Sequence, residues 1–137
     1  MDFDPSLNWK VVDDQGFNTH IGPMRYARGD DAWLGALELT DHHINVGGVC
    51  HGAVFTAVAD VTMGIAALQL SDWQKCTTID FHAQFIAAAK KGQTLLCSAT
   101  LNRAVGDLVF MQAQLWAGGR QCAHTSSVWK VLVTKPA

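Results

Sequence analysis

An α+β fold in which five or six antiparallel strands enclose one long central helix is the architecture this sequence predicts. Residues 52–70 form a single apolar run whose one charged side chain is Asp60. After that run the apolar period changes from that of a helix to that of a strand. The strand-like stretches are joined by turns so short that their neighbours must be antiparallel. A helix that is apolar on nearly every side has to be covered on most of them. A sheet curled around the helix does this. A sheet with the helix laid on one face is the plainer alternative.

Taken in order, residues 4–16 are expected to hold a short helix with Leu7, Val11 and Val12 on its apolar side. Residues 23–28 and 33–40 read as a hairpin around Gly29, Asp30 and Asp31. Residues 41–50, with Asn45, Gly47 and Gly48, read as a loop. The helix over 52–70 follows. Residues 77–85 then alternate, with Ile79, Phe81, Ala83 and Phe85 on one face and Thr78, Asp80, His82 and Gln84 on the other. A turn at Lys90, Lys91 and Gly92 leads to strands over 94–103, 108–117 and 121–133. Turns at Val105, Gly106 and Asp107 and at Gly118 and Gly119 separate them.

The chain has 137 residues, which suits one domain over 1–137. With 49% hydrophobic and 16% charged residues it is a globular chain with little charge for its size. Part of its apolar surface is therefore expected to lie against another subunit, which makes it a homo-oligomer. The net charge is -2 and no basic cluster exceeds the pair Lys90 and Lys91, so nucleic acid is not an expected partner. Residues 52–70 are almost long enough to cross a bilayer. They carry Thr56, Asp60, Thr62 and Gly64 and lack basic or aromatic flanks, so the reading is a buried helix and no membrane. The first residues, Met1 to Pro5, have no basic start and no apolar core, so no signal peptide is read there. Cys50, Cys76, Cys97 and Cys122 form no CxxC pair. Free thiols in a reducing cytoplasm are expected.

Two features could carry chemistry. Gly52 falls at the start of the long helix, where free N–H groups and the positive end of the dipole favour a negative oxygen. Such a place suits the oxyanion of an acyl-transfer intermediate, and equally a helix entry with no ligand. Asp60 lies eight residues further on, with no basic residue within a helical turn. A carboxylate there is unfavourable unless it is functional or tied by hydrogen bonds to the fold. His42, His43, Cys50 and His51 lack HxxxH or CxxC spacing, so no metal site is expected. Neighbouring Cys50 and His51 rarely face each other as a nucleophile pair would have to. GxGxxG, GxxxxGK and GxSxG are all absent.

Residues 45–60, NVGGVCHGAVFTAVAD, resemble the signature N/Q-x-x-G-x-x-H-G-G-x-x-x-x-L-x-D/E. That signature belongs to hotdog-fold acyl-CoA thioesterases of the phenylacetate-degradation and second-type 4-hydroxybenzoyl-CoA group. Asn45, Gly48, His51, Gly52 and Asp60 match, while Ala53 and Val58 depart from it. Residues 77–92 are similar to the family's next strand and turn, with Ala88 where a proline is common. Residues 103–110 resemble its R-x-G-R hairpin, with Asp107 where the family carries a basic residue. The similarity spans roughly residues 22–132.

The resemblance implies a hotdog fold that hydrolyses acyl- or aryl-CoA thioesters. The Gly52 N–H would polarise the thioester carbonyl, and His51 would position that turn. Asp60 would act as general base on water, or as a nucleophile through an anhydride. Asn45 would orient the water or the carbonyl, and Thr78 would hold the water. Arg103 and Gly106 are the expected contacts to coenzyme A, and Phe55, Phe81 and Trp116 the expected acyl-pocket wall. No metal and no cofactor are implied beyond the coenzyme A of the substrate. Eight residues of helix span about 12 Å, too far for Gly52 and Asp60 of one chain to act on one carbonyl carbon. The site is therefore expected between two subunits whose helices run in opposite directions. The alternatives are a hotdog dehydratase or hydratase and a non-catalytic acyl-CoA-binding protein. Dehydratases place the acid about five residues after the helix-entry glycine and carry a nearby proline, and this sequence does neither.

Overall fold

The computed structural model describes residues 1–132. It contains β1 (Lys10–Val11), α1 (Phe17–Ile21), β2 (Met24–Arg28) and β3 (Trp33–Glu38), then a single 3₁₀ turn at Asp41–His43. The long helix α2 (Gly52–Leu70) comes next. It is followed by β4 (Cys76–Phe85), β5 (Thr94–Val105), β6 (Leu108–Ala117) and β7 (Arg120–Val131). The strands form one antiparallel sheet in the order β1-β2-β3-β5-β6-β7-β4. After α2 the chain thus crosses to the far edge of the sheet, and β4 is left with one free side.

The long helix has the limits expected from the sequence, and the sheet packs against it from β3 to β7. The expected last strand reached residue 133, which lies outside the described residues. Seven strands stand where five or six were expected. The additional one is β1, in the stretch read as a helix. Side chains there capture the backbone first. Asp4 accepts from the Ser6 N–H at 2.9 Å and from its hydroxyl at 2.6 Å, and the Trp9 indole N–H bonds the Asp4 carbonyl at 2.8 Å. The next residues then pair with β2, Lys10 opposite Tyr26 and Val11 opposite Arg25, and the Val12 N–H bonds the Met24 carbonyl at 2.9 Å. The helix that does form, α1, is only five residues long. Asp14 steadies its start by accepting from the N–H groups of Gly16 and Thr19.

Close packing of α2 into the curved sheet depends on small residues. Ala57, Ala59, Ala66 and Ala67 of the helix are buried, as are Cys97, Ala99, Ala113 and Ala123 of the facing strands. At two points only glycine leaves room. A Cβ on Gly35 of β3 would lie 2.1 Å from the Thr62 hydroxyl, and one on Gly64 of α2 would lie 2.8 Å from the Trp129 ring. Leu37, Leu95, Met63, Met111 and Leu115 fill the remaining space. The polar groups inside are paired: Thr62 donates to the Val58 carbonyl at 2.7 Å, and the Trp129 indole donates to Ser127 at 2.9 Å. The β6–β7 turn uses Gly118 and Gly119 with φ of 58° and 73°, as a tight two-residue hairpin turn requires.

One register shift changes which side chains face the helix. β4 bulges between Thr78 and Asp80, so Ile79 has no partner on β7. The face assignment made from simple alternation is corrected here. Thr78 turns inward together with Phe81, Ala83 and Phe85, while Ile79 is pushed out and is 54% exposed.

The tight approach at Gly35 is directly testable. Gly35→Ala is predicted to lower stability by about 1–3 kcal/mol, as overpacking does. Adding Thr62→Ala, which removes the hydroxyl in the way, should recover much of that loss in a denaturant-unfolding cycle. An unchanged loss in the double variant would contradict the contact.

Candidate active site

Gly52 is the first residue of α2, and His51 caps the helix. The His51 Nδ1 accepts from the Ala53 N–H at 2.9 Å, and the His51 carbonyl accepts from Val54 at 2.9 Å. Among the described residues no acceptor is bonded to the Gly52 N–H. That N–H is therefore a free donor at the positive end of a nineteen-residue helix. The loop before it is braced by Asn45, whose side-chain oxygen accepts from Gly47 at 2.9 Å and Val49 at 3.3 Å. Asn45 was expected to orient water or the carbonyl. Its oxygen is committed to its own loop, which leaves only its amide N–H groups for a ligand.

A cavity of about 410 Å³ opens beside Gly52, walled by Val49, Cys50, Phe55, Phe85, Ile86 and the residues that follow. Phe55 and Phe85 meet with ring centroids 5.9 Å apart, and a Cβ on Gly52 would lie 3.3 Å from the Phe85 ring. Of the expected acyl-pocket residues, only Phe55 lines this cavity. Phe81 lies half-buried against the core, and Trp116 lies on β6. The wall that sequence reasoning missed comes from Phe85 to Ala88. Its only signal was the aromatic at the end of the alternating run. Cys50 is buried, and its thiol is pushed up to about 11, first by burial and then by neighbouring Cys122. It is thus a poor source of thiolate at neutral pH.

Asp60 sits a little over two turns along α2, half-buried. Its carboxylate accepts from the Thr78 hydroxyl at 2.8 Å. The bulge at Ile79 is what aims Thr78 at it. Burial holds the Asp60 carboxyl above its ordinary value, and the Thr78 hydrogen bond offsets part of that rise. So the structure brings Asp60 and Thr78 together, and separately Gly52, His51 and Phe55. It does not bring the two groups together within one chain, because eight residues of helix put about 12 Å between them. Arg103 and Gly106 lie in the β5–β6 hairpin, at the far end of α2 from Gly52. There a hydrogen bond from Lys130 lowers the Asp107 carboxyl from its ordinary value.

The histidines of this region have other partners. His43 is buried, with Nε2 bonded to the Ile21 carbonyl at 2.6 Å and Nδ1 accepting from Thr40 at 2.9 Å. Among the described residues, no group of three or more His, Cys, Asp or Glu side chains could hold a metal ion.

One long helix wrapped by an antiparallel sheet is the hotdog fold. The sequence profile of the thioesterase superfamily matches residues 47–124, and the chain belongs to that family. A Pseudomonas aeruginosa protein, PA0474, whose name calls it an esterase, is 30% identical over 95 residues. That match covers 69% of this chain and 71% of the relative. Among solved structures, the PaaI protein of the E. coli phenylacetic acid degradation operon superposes with a TM-score of 0.75. It is 13% identical and the match covers 85% of this chain and 83% of that one. The Streptococcus mutans protein smu.793, solved bound to acetyl CoA, gives a TM-score of 0.71 at 15% identity. Coverage is 81% of this chain and 90% of that one. At such identities these two structures bear on the fold.

The raised carboxyl has a consequence for stability. The unfolded chain carries Asp60 at its ordinary value, so the folded form loses stability as pH rises through the raised one. Asp60→Asn removes that penalty while keeping an acceptor for Thr78. The variant is predicted to be at least as stable as the parent at pH 7, with the advantage vanishing in acid below the ordinary carboxylate range. A loss at pH 7 of more than about 1 kcal/mol in denaturant unfolding would instead make Asp60 a structural tie.

Proposed function

We propose that this protein hydrolyses acyl-coenzyme A thioesters at a site shared by two copies of the chain. The observation that carries the reading is the half-buried Asp60 carboxylate, in an apolar helix with Thr78 as its hydrogen-bond donor. A carboxyl held above its ordinary value by burial, yet hydrogen-bonded in its charged form, is a stronger proton acceptor than an ordinary exposed carboxylate. Asp60 takes a proton from water, the oxygen attacks the thioester carbonyl, and the C–S bond breaks to release the acid and the coenzyme A thiol. Direct attack by the carboxylate, through an anhydride, uses the same position. The free Gly52 N–H supports the carbonyl oxygen as charge develops on it. Thr78 holds the water against Asp60. The acetyl CoA bound to smu.793 supports a coenzyme A thioester as the class of ligand.

Because Gly52 and Asp60 are about 12 Å apart along one helix, the reacting carbonyl is shared between the Gly52 of one copy and the Asp60 of another. The free edge of β4 supports this, with Ile79, Phe85 and Ile86 54–59% exposed along or just beyond it. A second β4 laid antiparallel along that edge would cover them and bring the two helices side by side. In the same arrangement the β5–β6 hairpin of the second copy, with Arg103 and Gly106, comes toward the Gly52 end of the first, within reach of the coenzyme A. The reaction proceeds without a metal or a resident cofactor.

Kinetics test this directly. Asp60→Asn is predicted to lower kcat by at least ~10³-fold, since removing a general base alone commonly loses 10²–10⁴. Thr78→Val should lower kcat by about 10–10²-fold, the loss of one positioning bond. It should also move the acidic limb of the pH–rate profile upward, because the hydrogen bond that lowers the Asp60 value is gone. Asp60→Asn retaining more than a tenth of the parent turnover on every acyl-CoA tried would refute the assignment. Prolonged chelation should leave activity unchanged, and zinc rescue of an inactivated protein would overturn the metal-free mechanism.

A further inference from the structure

On β4, Asp80 and His82 stand on the outer face of the sheet, the face turned away from α2. The Asp80 Oδ2 lies 3.3 Å from the His82 Nε2, with the side chains 55% and 74% exposed. On β7 the same face carries His124 and Ser126, and a cavity of about 440 Å³ separates His124 from His82. Among the described residues no third His, Cys, Asp or Glu completes a metal site with Asp80 and His82 in one chain. Both lie on the strand with the free side, where the second copy is proposed to sit.

We propose that Asp80 and His82 of two copies together bind one zinc ion on the two-fold axis, on the outer face of the joined sheet. The inference rests on the two-copy site proposed above and adds to it an ion that ties the copies together. Within each chain Phe85 lies against Gly52, and Thr78 lies against Asp60. Bringing the Gly52 of one copy to the Asp60 of the other therefore sets Phe85 opposite the other copy's Thr78. Residues 79–84 lie between these anchors, and Ile79 among them is the bulge. β7 meets Thr78 and Asp80 with consecutive residues, Trp129 and Val128. A strand on the free side has to do the same, so that side chains facing the helix meet others that face it. With Ile79 set aside, residues 80–84 of one copy run against residues 84–80 of the other, and His82 at the middle faces its own counterpart. The pleat agrees with this count: outward Asp80 meets outward Gln84, and inward Phe81 meets inward Ala83.

Side chains directly opposed in this way have Cβ atoms about 4.5–5.5 Å apart. Zinc takes imidazole nitrogen and carboxylate oxygen at about 2.0–2.2 Å, so two ligands of one tetrahedral ion are about 3.3–3.6 Å apart. Asp80 and His82 already stand at that spacing. Two imidazoles and two carboxylates complete a tetrahedral set, and the two carboxylates balance the charge of the ion. Lys130, on the same face of β7 beyond Val128, is taken up by Asp107 and does not compete. Magnesium, which takes oxygen ligands in a near-ideal octahedron, does not suit these donors. The site lies across the sheet from Asp60, so zinc there joins the copies without touching the reaction.

The test uses the whole chain, stripped with a chelator, titrated with zinc and followed by calorimetry and sedimentation. One zinc per two chains is expected. The dimer should tighten as zinc binds, its dissociation constant falling about 100-fold at free zinc of about 100 times the zinc Kd. Magnesium should do neither. His82→Ala and Asp80→Asn should lose zinc binding, with kcat on acyl-CoA unchanged where the dimer is fully formed. His82→Cys, set against its counterpart at a spacing that suits a disulfide, should cross-link into covalent dimers on oxidation, and Gln84→Cys, which faces Asp80, should not. One zinc per chain, as His82 and His124 of one copy would give, would overturn the shared zinc site alone. So would a dimer that cross-links through His82→Cys while the parent shows no saturable zinc binding. A dimer in which His82→Cys stays free would overturn the pairing of His82 and the zinc site with it. Sedimentation showing a fully active monomer would overturn the two-copy site itself.

Discussion

Everything distinctive about this fold follows from one awkward placement, a carboxylate in the middle of an apolar helix. An ionised side chain there is disfavoured by burial, and Thr78 is the neighbour that answers it. To reach Asp60, Thr78 must face the helix, and β4 has to bulge at Ile79 for it to do so. The bulge in turn exposes Ile79 on the free side of the edge strand. The same interaction that sustains the carboxylate therefore shapes the surface along which a second copy is proposed to lie.

The helix is also a ruler. Its entry offers a free N–H beside an apolar cavity, and its middle offers the acid. Within one chain the straight helix keeps the two about 12 Å apart, and close packing at Gly35 and Gly64 seats it against the sheet. Reversing a second helix alongside the first brings the entry of one level with the acid of the other. The free β4 edge is the element that would impose such a reversal.

Much of this was legible in the sequence, for physical reasons that differ from element to element. The limits of α2 follow from an uninterrupted apolar run, and the β5, β6 and β7 hairpins follow from glycine turns whose left-handed φ the structure contains. The NxxGxxHG…D spacing placed Gly52 and Asp60 on one helix, and their separation followed from helix geometry alone. What escaped were features decided by neighbours distant in the chain. The first sixteen residues have helix-like apolar spacing, yet pairing of Lys10 and Val11 with β2 and the side-chain bonds of Asp4 and Asp14 override it. The bulge carries no glycine or asparagine to announce it and is set by the register with β7. The cavity wall after Phe85 is an irregular segment placed by hydrogen bonds from Ile86 and Ala87 to the Cys122 carbonyl. Phe81 and Trp116 are large and apolar like the residues that line this cavity, and only the fold separates them from it.

The most direct measurement of a shared site is complementation between chains disabled on opposite sides. Gly52→Val places a branched side chain against Phe85 and obstructs approach to the helix N–H. Asp60→Asn removes the base. Each variant alone should be nearly inactive on acyl-CoA. When the two are co-refolded in equal amounts, about half of the dimers are mixed, and symmetry gives each mixed dimer one site with both lesions and one site with neither. Activity should therefore return to about a quarter of the parent value. If mass spectrometry shows that mixed dimers have formed and activity stays near zero, Gly52 and Asp60 act within one chain, and the shared-site account is wrong.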